Sequence, residues 1–211
     1  MFITFEGMEG SGKTTHVQKL FSFLKSQGHD VVLTREPGGT AIGDQIRKIL
    51  LDRASQGMTK DCEQLLYWAA RAQHIQELIL PHLQKGDIVL CDRYVDSTMA
   101  YQGYGRGIDF SLLKTLENIV TKEVKIDRTF LFDLPVEEGL KRARKRIQEK
   151  IQTQKEDRFE NEAIVFHEKV RQGFLELAKK EPKRFVIFDA SLDKETLHEK
   201  VKREMNKMLG M

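Results

Sequence analysis

Only two cysteines occur in the chain, Cys62 and Cys91, and they stand far apart without the paired spacing of a metal site. That scarcity argues against a disulfide scaffold and a thiolate metal centre, and it fits a reduced compartment with both thiols buried. Long apolar runs are missing too. None approaches the ~18 residues of a membrane-spanning helix, and the chain opens directly on a strand-like stretch rather than a leader, so the expected location is the cytoplasm. Charge of one dominant sign is also absent: 35 lysines and arginines against 32 aspartates and glutamates leave a net +3, which makes no general case for nucleic acid or membrane partners. At 211 residues the chain is long enough for one sizeable core and short for two, so one domain over 1–211 is expected.

What is present organises around the N-terminal stretch. Phe2, Ile3 and Phe5 form a short apolar run, and Gly7 to Thr14 then fits G-x-x-x-x-G-K-[ST], a loop whose backbone N–H groups converge on phosphate oxygens. Gly7, Gly10 and Gly12 permit positive φ, and the amphipathic stretch from His16 to Leu24 continues as a helix whose positive end faces the same anion. Met8, Glu9, Ser11 and Thr15 complete the cradle; Lys13 would reach the β/γ-phosphates and Thr14 would offer its hydroxyl to Mg²⁺.

Further along, Val31–Thr34 reads as a second strand at βαβ spacing, so the fold class is α/β. A turn-rich loop, Arg35 to Thr40, leads to a helix over about 43–51, and a long helical pattern runs over about 60–84 with Pro81 set to kink it or end its regular part. Ile88–Cys91 is a third strand, a loop through Gly103, Gly105 and Gly107 is expected, and helices and strands follow at about 110–121, 128–133, 136 onward, 161–179, 185–188 and 194–209.

Asp92 follows the apolar run at a strand end, the Walker-B arrangement for a carboxylate that helps hold Mg²⁺; its plainer alternative is a helix cap. Arg93 beside it is either a phosphate clamp or one half of an ordinary salt bridge. The basic run through Arg142, Arg144 and Arg146 to Arg158 has three readings: a solvated helix face, a nucleic-acid patch, or a lid over about 142–158 whose arginines close on transferring phosphates. Lacking interleaved aromatics before Phe159, it favours the lid over the nucleic-acid patch.

Six segments together resemble the thymidylate kinase family over nearly the whole chain: Phe5 to Thr15, Thr34-Arg-Glu-Pro-Gly-Gly-Thr40, Leu65 to His74, Asp92 to Gly103, Leu140 to Arg146, and Asp157 to Glu160. The resemblance implies a five-stranded parallel sheet flanked by helices, a homodimer, and phosphorylation of dTMP with ATP and Mg²⁺. By matching position, Glu9 resembles the carboxylate at the sugar 3′-hydroxyl, and Arg93 and Arg47 the arginines at the dTMP phosphate. Tyr67 stands where the family usually stacks a Phe on thymine, Arg71, Thr98 and Gln102 resemble the residues at the base edge, and Tyr101 the one beside the deoxyribose. Ala70 departs from the Asp or Asn often found before that arginine. Gly10 stands where some members carry an arginine, which implies that catalytic arginines come from the lid set Arg142, Arg144, Arg146 and Arg158.

Overall fold

The computed structural model describes residues 1–149, 158–159 and 162–210, with side chains described for all of these except 146–149. Five strands, β1 (Phe2–Glu6), β2 (Val31–Arg35), β3 (Ile88–Asp92), β4 (Arg128–Asp133) and β5 (Phe185–Asp189), form one all-parallel sheet in the order β2-β3-β1-β4-β5. Chain order reverses about β1, which therefore lies at the switch point where open α/β sheets admit ligands beyond the strands' carboxyl ends.

The strands are apolar runs rather than alternating ones because both faces are covered. Helices α1 (Lys13–Ser26) and α9 (Lys194–Leu209) cover one face, where Val17, Leu20, Leu24, Leu197, Val201 and Met205 meet Ile3, Phe5, Leu90, Phe130 and Phe132. The other face carries Phe2, Val89 and Cys91 against Trp68 of α3 (Lys60–His74) and Leu113 of α6 (Phe110–Val120). Between these lie α2 (Ala41–Leu51), capped by the Thr40 hydroxyl, α4 (Leu80–Gln84), α5 (Val95–Thr98), α7 (Val136–Glu149) and α8 (Ile164–Lys180).

The long pattern over 60–84 is helical throughout, but its regular part ends at His74 and Ile75–Ile79 forms a wider π turn. The widening sits just before Pro81, whose ring would crowd the carbonyl four residues back at Glu77. The loop expected through Gly103 and Gly105 is instead a second π-helical stretch, Met99–Gly105, continuous with α5. These two glycines mark close packing, not turns: a Cβ on Gly103 would lie 2.8 Å from the Phe110 ring, and one on Gly105 2.6 Å from Phe166. Only Gly107 has the positive φ, 73°, of a turn. Cys91 is buried as expected, whereas Cys62 is exposed in the first turn of α3.

Gly7, Gly10 and Gly12 all have positive φ (138°, 73° and 85°). Gly10 carries a second constraint, since a Cβ there would lie 2.0 Å from the Gly139 carbonyl oxygen of α7. Reciprocally, a Cβ on Gly139 would lie 2.6 Å from the Glu9 carbonyl oxygen. The glycine loop and the first turn of α7 thus touch backbone to backbone, and this contact fixes where the basic helix departs. Gly139→Ala sets two effects against each other: alanine gains about 1 kcal/mol of helix propensity, but overpacking costs typically 1–3 kcal/mol. The expected net result is a lower Tm, at about 2–4 °C per kcal/mol for a chain of this size. Scanning calorimetry checks it, and a raised Tm would show that the two backbones are free to separate.

Candidate active site

The glycine loop read from sequence as a phosphate cradle follows the carboxyl end of β1, beside the carboxyl end of β3. Gly12, in the left-handed region, caps α1, so the first amides of that helix face the loop. Lys13 folds back over the loop, its Nζ donating to the Met8 carbonyl at 2.8 Å and to Ser11 Oγ at 3.4 Å. Across the cleft the Thr14 hydroxyl donates to Asp92 Oδ2 at 2.5 Å, which joins the hydroxyl and the strand-end carboxylate read from sequence into one oxygen pair. Burial, reinforced by the nearby Arg93 charge, lowers the Lys13 pKa from 10.5 to about 7.

Beside the cradle, Glu9 gathers three partners. Its Oε1 accepts from Arg93 Nη2 at 3.1 Å and from the Tyr101 hydroxyl at 2.5 Å, and its Oε2 lies 3.5 Å from His167 Nδ1. That last contact has ion-pair distance without hydrogen-bond geometry, and Glu9 Oε2 and both His167 ring nitrogens are buried without a hydrogen-bond partner. Burial alone would raise the Glu9 pKa, but His167, Arg93, Lys13 and Tyr101 hold it well below the usual carboxylate range. Arg93 sits at φ 71°, donates from Nη1 to the Gly7 carbonyl and Ser97 Oγ at 3.1 Å each, and lies 5.0 Å from the Tyr101 ring centre. A left-handed backbone at a non-glycine residue is strained, and here it aims the guanidinium at the loop. Glu6, at the end of β1, takes the Tyr94 amide at 2.7 Å and the Ser97 hydroxyl at 2.5 Å. Its burial and the neighbouring Asp96 raise its pKa to about 7.

A second cluster surrounds Arg71, which is only 2 % exposed. Its Nε donates to Glu36 Oε2 at 2.7 Å and its Nη2 to Thr98 Oγ1 at 3.0 Å. The guanidinium carbon lies 4.6 Å from the Trp68 ring centre and 5.2 Å from that of Tyr94. Nη1 is buried and has no hydrogen-bond partner. One donor of a fully desolvated cation is thus held out, ready for an acceptor.

Tyr67 is half-buried, packed against the aromatic cluster of Tyr101, Phe159 and Phe166, and its hydroxyl pKa is raised by burial and by Glu63 against the pull of Arg93, Arg158 and Arg47. Arg47 donates to the Pro37 carbonyl at 3.0 Å. Gln102 is turned to Glu63 Oε1 at 2.9 Å. Arg158 is 7 % exposed and donates to Glu63 Oε2 at 2.5 Å and to the Leu50 carbonyl at 3.0 Å, so in this structure it is a buried ion-pair partner. Arg142 and Arg144 lie on α7; Arg142 pairs with Glu138 and donates to the Ala190 carbonyl at 3.0 Å, and Arg144 is exposed. The Arg146 side chain, 150–157 and 160 lie outside the described residues, and with them most of the expected lid. Sequence reasoning missed Glu6, Glu36, Glu63, His74 and His167, all buried polar groups whose partners are remote in sequence.

The depressed pKa of Lys13 has a measurable consequence. Between about pH 7 and pH 10.5 the unfolded chain binds a proton at Lys13 that the folded chain does not, so Lys13 lowers stability progressively as pH falls through that window. Lys13→Met should therefore raise the Tm of the free protein most at pH 7 and below, with the gain shrinking toward pH 10.5. A gain that grows with pH would contradict this reading.

A family model described as thymidylate kinase matches residues 5–201. The chain is 53% identical over 190 residues to the thymidylate kinase of Geotalea uraniireducens, covering 90% of this chain and 89% of that protein. It is 51% identical to that of Geobacter sulfurreducens, with the same coverage of both chains. The crystal structure of thymidylate kinase from Ehrlichia chaffeensis superposes with a TM-score of 0.76 at 36% identity, covering 97% of this chain and 98% of the other. The glycine loop with Lys13 and Thr14, and the five-stranded parallel sheet that carries it, agree with these matches: the chain belongs to the thymidylate kinase family.

Proposed function

We propose that the protein transfers the γ-phosphoryl group of ATP to dTMP, giving dTDP and ADP for dTTP synthesis. The observation that carries the choice of acceptor is the unpartnered Nη1 of Arg71, a buried donor set between the aromatic faces of Trp68 and Tyr94. Arginine only donates, so it suits the carbonyl at position 4 of thymine and opposes the amino group of cytosine.

In the reaction a dTMP phosphate oxygen attacks the γ-phosphorus, the bond to the bridging oxygen breaks, and its electron pair leaves on ADP. The protein's part is positioning and charge. The loop amides and Lys13 hold the ATP phosphates, whose negative charge would restore the full ammonium of Lys13. Arg93, steered by Glu9 and Gly7, together with Arg47, clamps the acceptor phosphate; Glu9 itself meets the sugar hydroxyl, with Tyr101 packed beside the deoxyribose and Tyr67 stacked on the base. Thr98 and Gln102 share the base edge with Arg71. Magnesium, when bound, neutralises charge across the phosphate oxygens. Thr14 and Asp92 would hold it, and one hydroxyl with one carboxylate is a donor set suited to an ion that keeps several waters and takes phosphate ligands. The remaining cationic charge is assigned to the basic segment, with Arg142, Arg144, Arg146 and Arg158 as its candidates.

A homodimer belongs to the same reading. Leu65 on α3 and Phe110, Leu112 and Ile119 on α6 are exposed apolar side chains that it would cover. Among the described residues no helix is long and apolar enough to cross a membrane, and the expected cytoplasmic location is retained as part of the proposal.

Coupled measurement of ADP release across monophosphates tests the assignment. The expected order of kcat/KM is dTMP above dUMP and both far above dCMP. A missing methyl is worth roughly 1–3 kcal/mol, whereas a mismatched buried hydrogen bond can cost a factor of ~10⁴. Arg71→Ala should compress that range. Turnover of dCMP within tenfold of dTMP would remove both the role of Arg71 and the acceptor.

A further inference from the structure

Behind Arg71 lies a buried chain of polar side chains that leads away from the nucleotide. Glu36 Oε2 takes Arg71 Nε at 2.7 Å, while its other oxygen, Oε1, lies 3.0 Å from His74 Nδ1. His74 Nε2 lies 2.7 Å from Thr34 Oγ1 on β2. Every member is buried: Thr34 is 7 % exposed, Glu36 4 %, Arg71 2 % and His74 0 %. A carboxylate only accepts, so His74 Nδ1 carries a proton, and in the neutral ring Nε2 accepts from the Thr34 hydroxyl. The backbone is built around this pair. His74 is the last residue before the π turn, and a Cβ on Gly39 would lie 2.6 Å from both His74 Nε2 and Thr34 Oγ1, so the 36–40 loop closes directly over them.

We infer that His74, held by Thr34, is a positioning residue for base selection: by occupying Glu36 Oε1 it restricts Glu36 to a single contact with Arg71, which leaves Nη2 for Thr98 and Nη1 for the base. The inference rests on the proposed function. Without His74, Oε1 is released for the two-oxygen grip that carboxylates prefer on a guanidinium. Such a grip takes a second Arg71 nitrogen and turns the planar group away from Thr98. A histidine that served packing alone would leave the guanidinium where it is.

The test compares His74→Leu, which removes both bonds, with His74→Asn, whose Nδ2 stands in for Nδ1 toward Glu36, and with Thr34→Val, which removes only the hydroxyl. In His74→Leu the kcat/KM ratio of dTMP over dCMP should fall about tenfold or more, through KM for dTMP, with KM for ATP unchanged. His74→Asn should recover most of that ratio, and Thr34→Val should lose part of it. Trp68, the chain's only tryptophan, reports the guanidinium 4.6 Å away without any nucleotide, so its emission should shift in His74→Leu and Thr34→Val while far-UV circular dichroism does not. If His74→Leu fails to fold, Thr34→Val decides: a lowered ratio supports the inference and a wild-type ratio overturns it. Should the wild-type enzyme ignore dTMP, the proposed function fails instead. Trp68 emission then still judges the relay, and unchanged emission in the folded variants contradicts it.

Discussion

The interior of this protein accommodates a guanidinium that almost no water reaches, and much of the site follows from how that charge is tolerated. An isolated cation would be far too costly in such surroundings, so Arg71 is matched by Glu36 through a charge-assisted bond at 2.7 Å and donates a second bond, at 3.0 Å, to the Thr98 hydroxyl. Two aromatic faces occupy the remaining directions. Nη1, with its two N–H groups, is left unpaired. An unsatisfied buried donor costs roughly 1–3 kcal/mol, a cost that is relieved only when an acceptor arrives. Under the proposed function this is a route to specificity, because a wrong base would leave the same donor unpaired and add a second.

The phosphate side shows the same economy with the signs distributed differently. Glu9, Arg93, Tyr101 and Lys13 form one desolvated cluster in which a carboxylate is held ionised while a lysine is driven toward neutrality. Arg93 occupies a left-handed backbone conformation that is unusual for its residue type, and Glu6 is buried at the end of the central strand with its pKa near neutrality. The neutralised Lys13, the strained Arg93 and the buried Glu6 each lower the stability of the free protein at neutral pH, whereas the ionised Glu9 raises it; of these costs, that of Lys13 is the one a bound anion would offset. The surrounding sheet, apolar on both faces and closed by T-shaped pairs such as Phe5–Phe130 and Phe130–Phe188, supplies the rigidity that such a site needs.

How much of this was legible in the sequence depends on the range of each signal. The strands, the glycine loop with its Lys13 and Thr14, and Asp92 at a strand end were readable because apolar runs and glycine spacing act locally. Glycine at 103 and 105 misled, since the same residue that permits a turn also permits close helix packing against Phe110 and Phe166. The partners Glu36, His74, Glu63 and His167 carry no local mark: a buried ion pair such as Arg158 with Glu63 joins residues 95 positions apart. A run of arginines in sequence likewise cannot say which of them is already paired, and Arg158, read as one lid arginine among four, is fixed beneath the surface by Glu63 and the Leu50 carbonyl.

The open Nη1 of Arg71 is the centre of the proposed site, and a crystal structure of the protein with dTMP bound tests it most directly. The predicted result is Nη1 within hydrogen-bond distance of the carbonyl oxygen at position 4 of thymine, with the Nε bond to Glu36 kept. A bound dTMP whose base makes no contact with Arg71, or an Arg71 that has released Glu36 to reach it, would contradict the account.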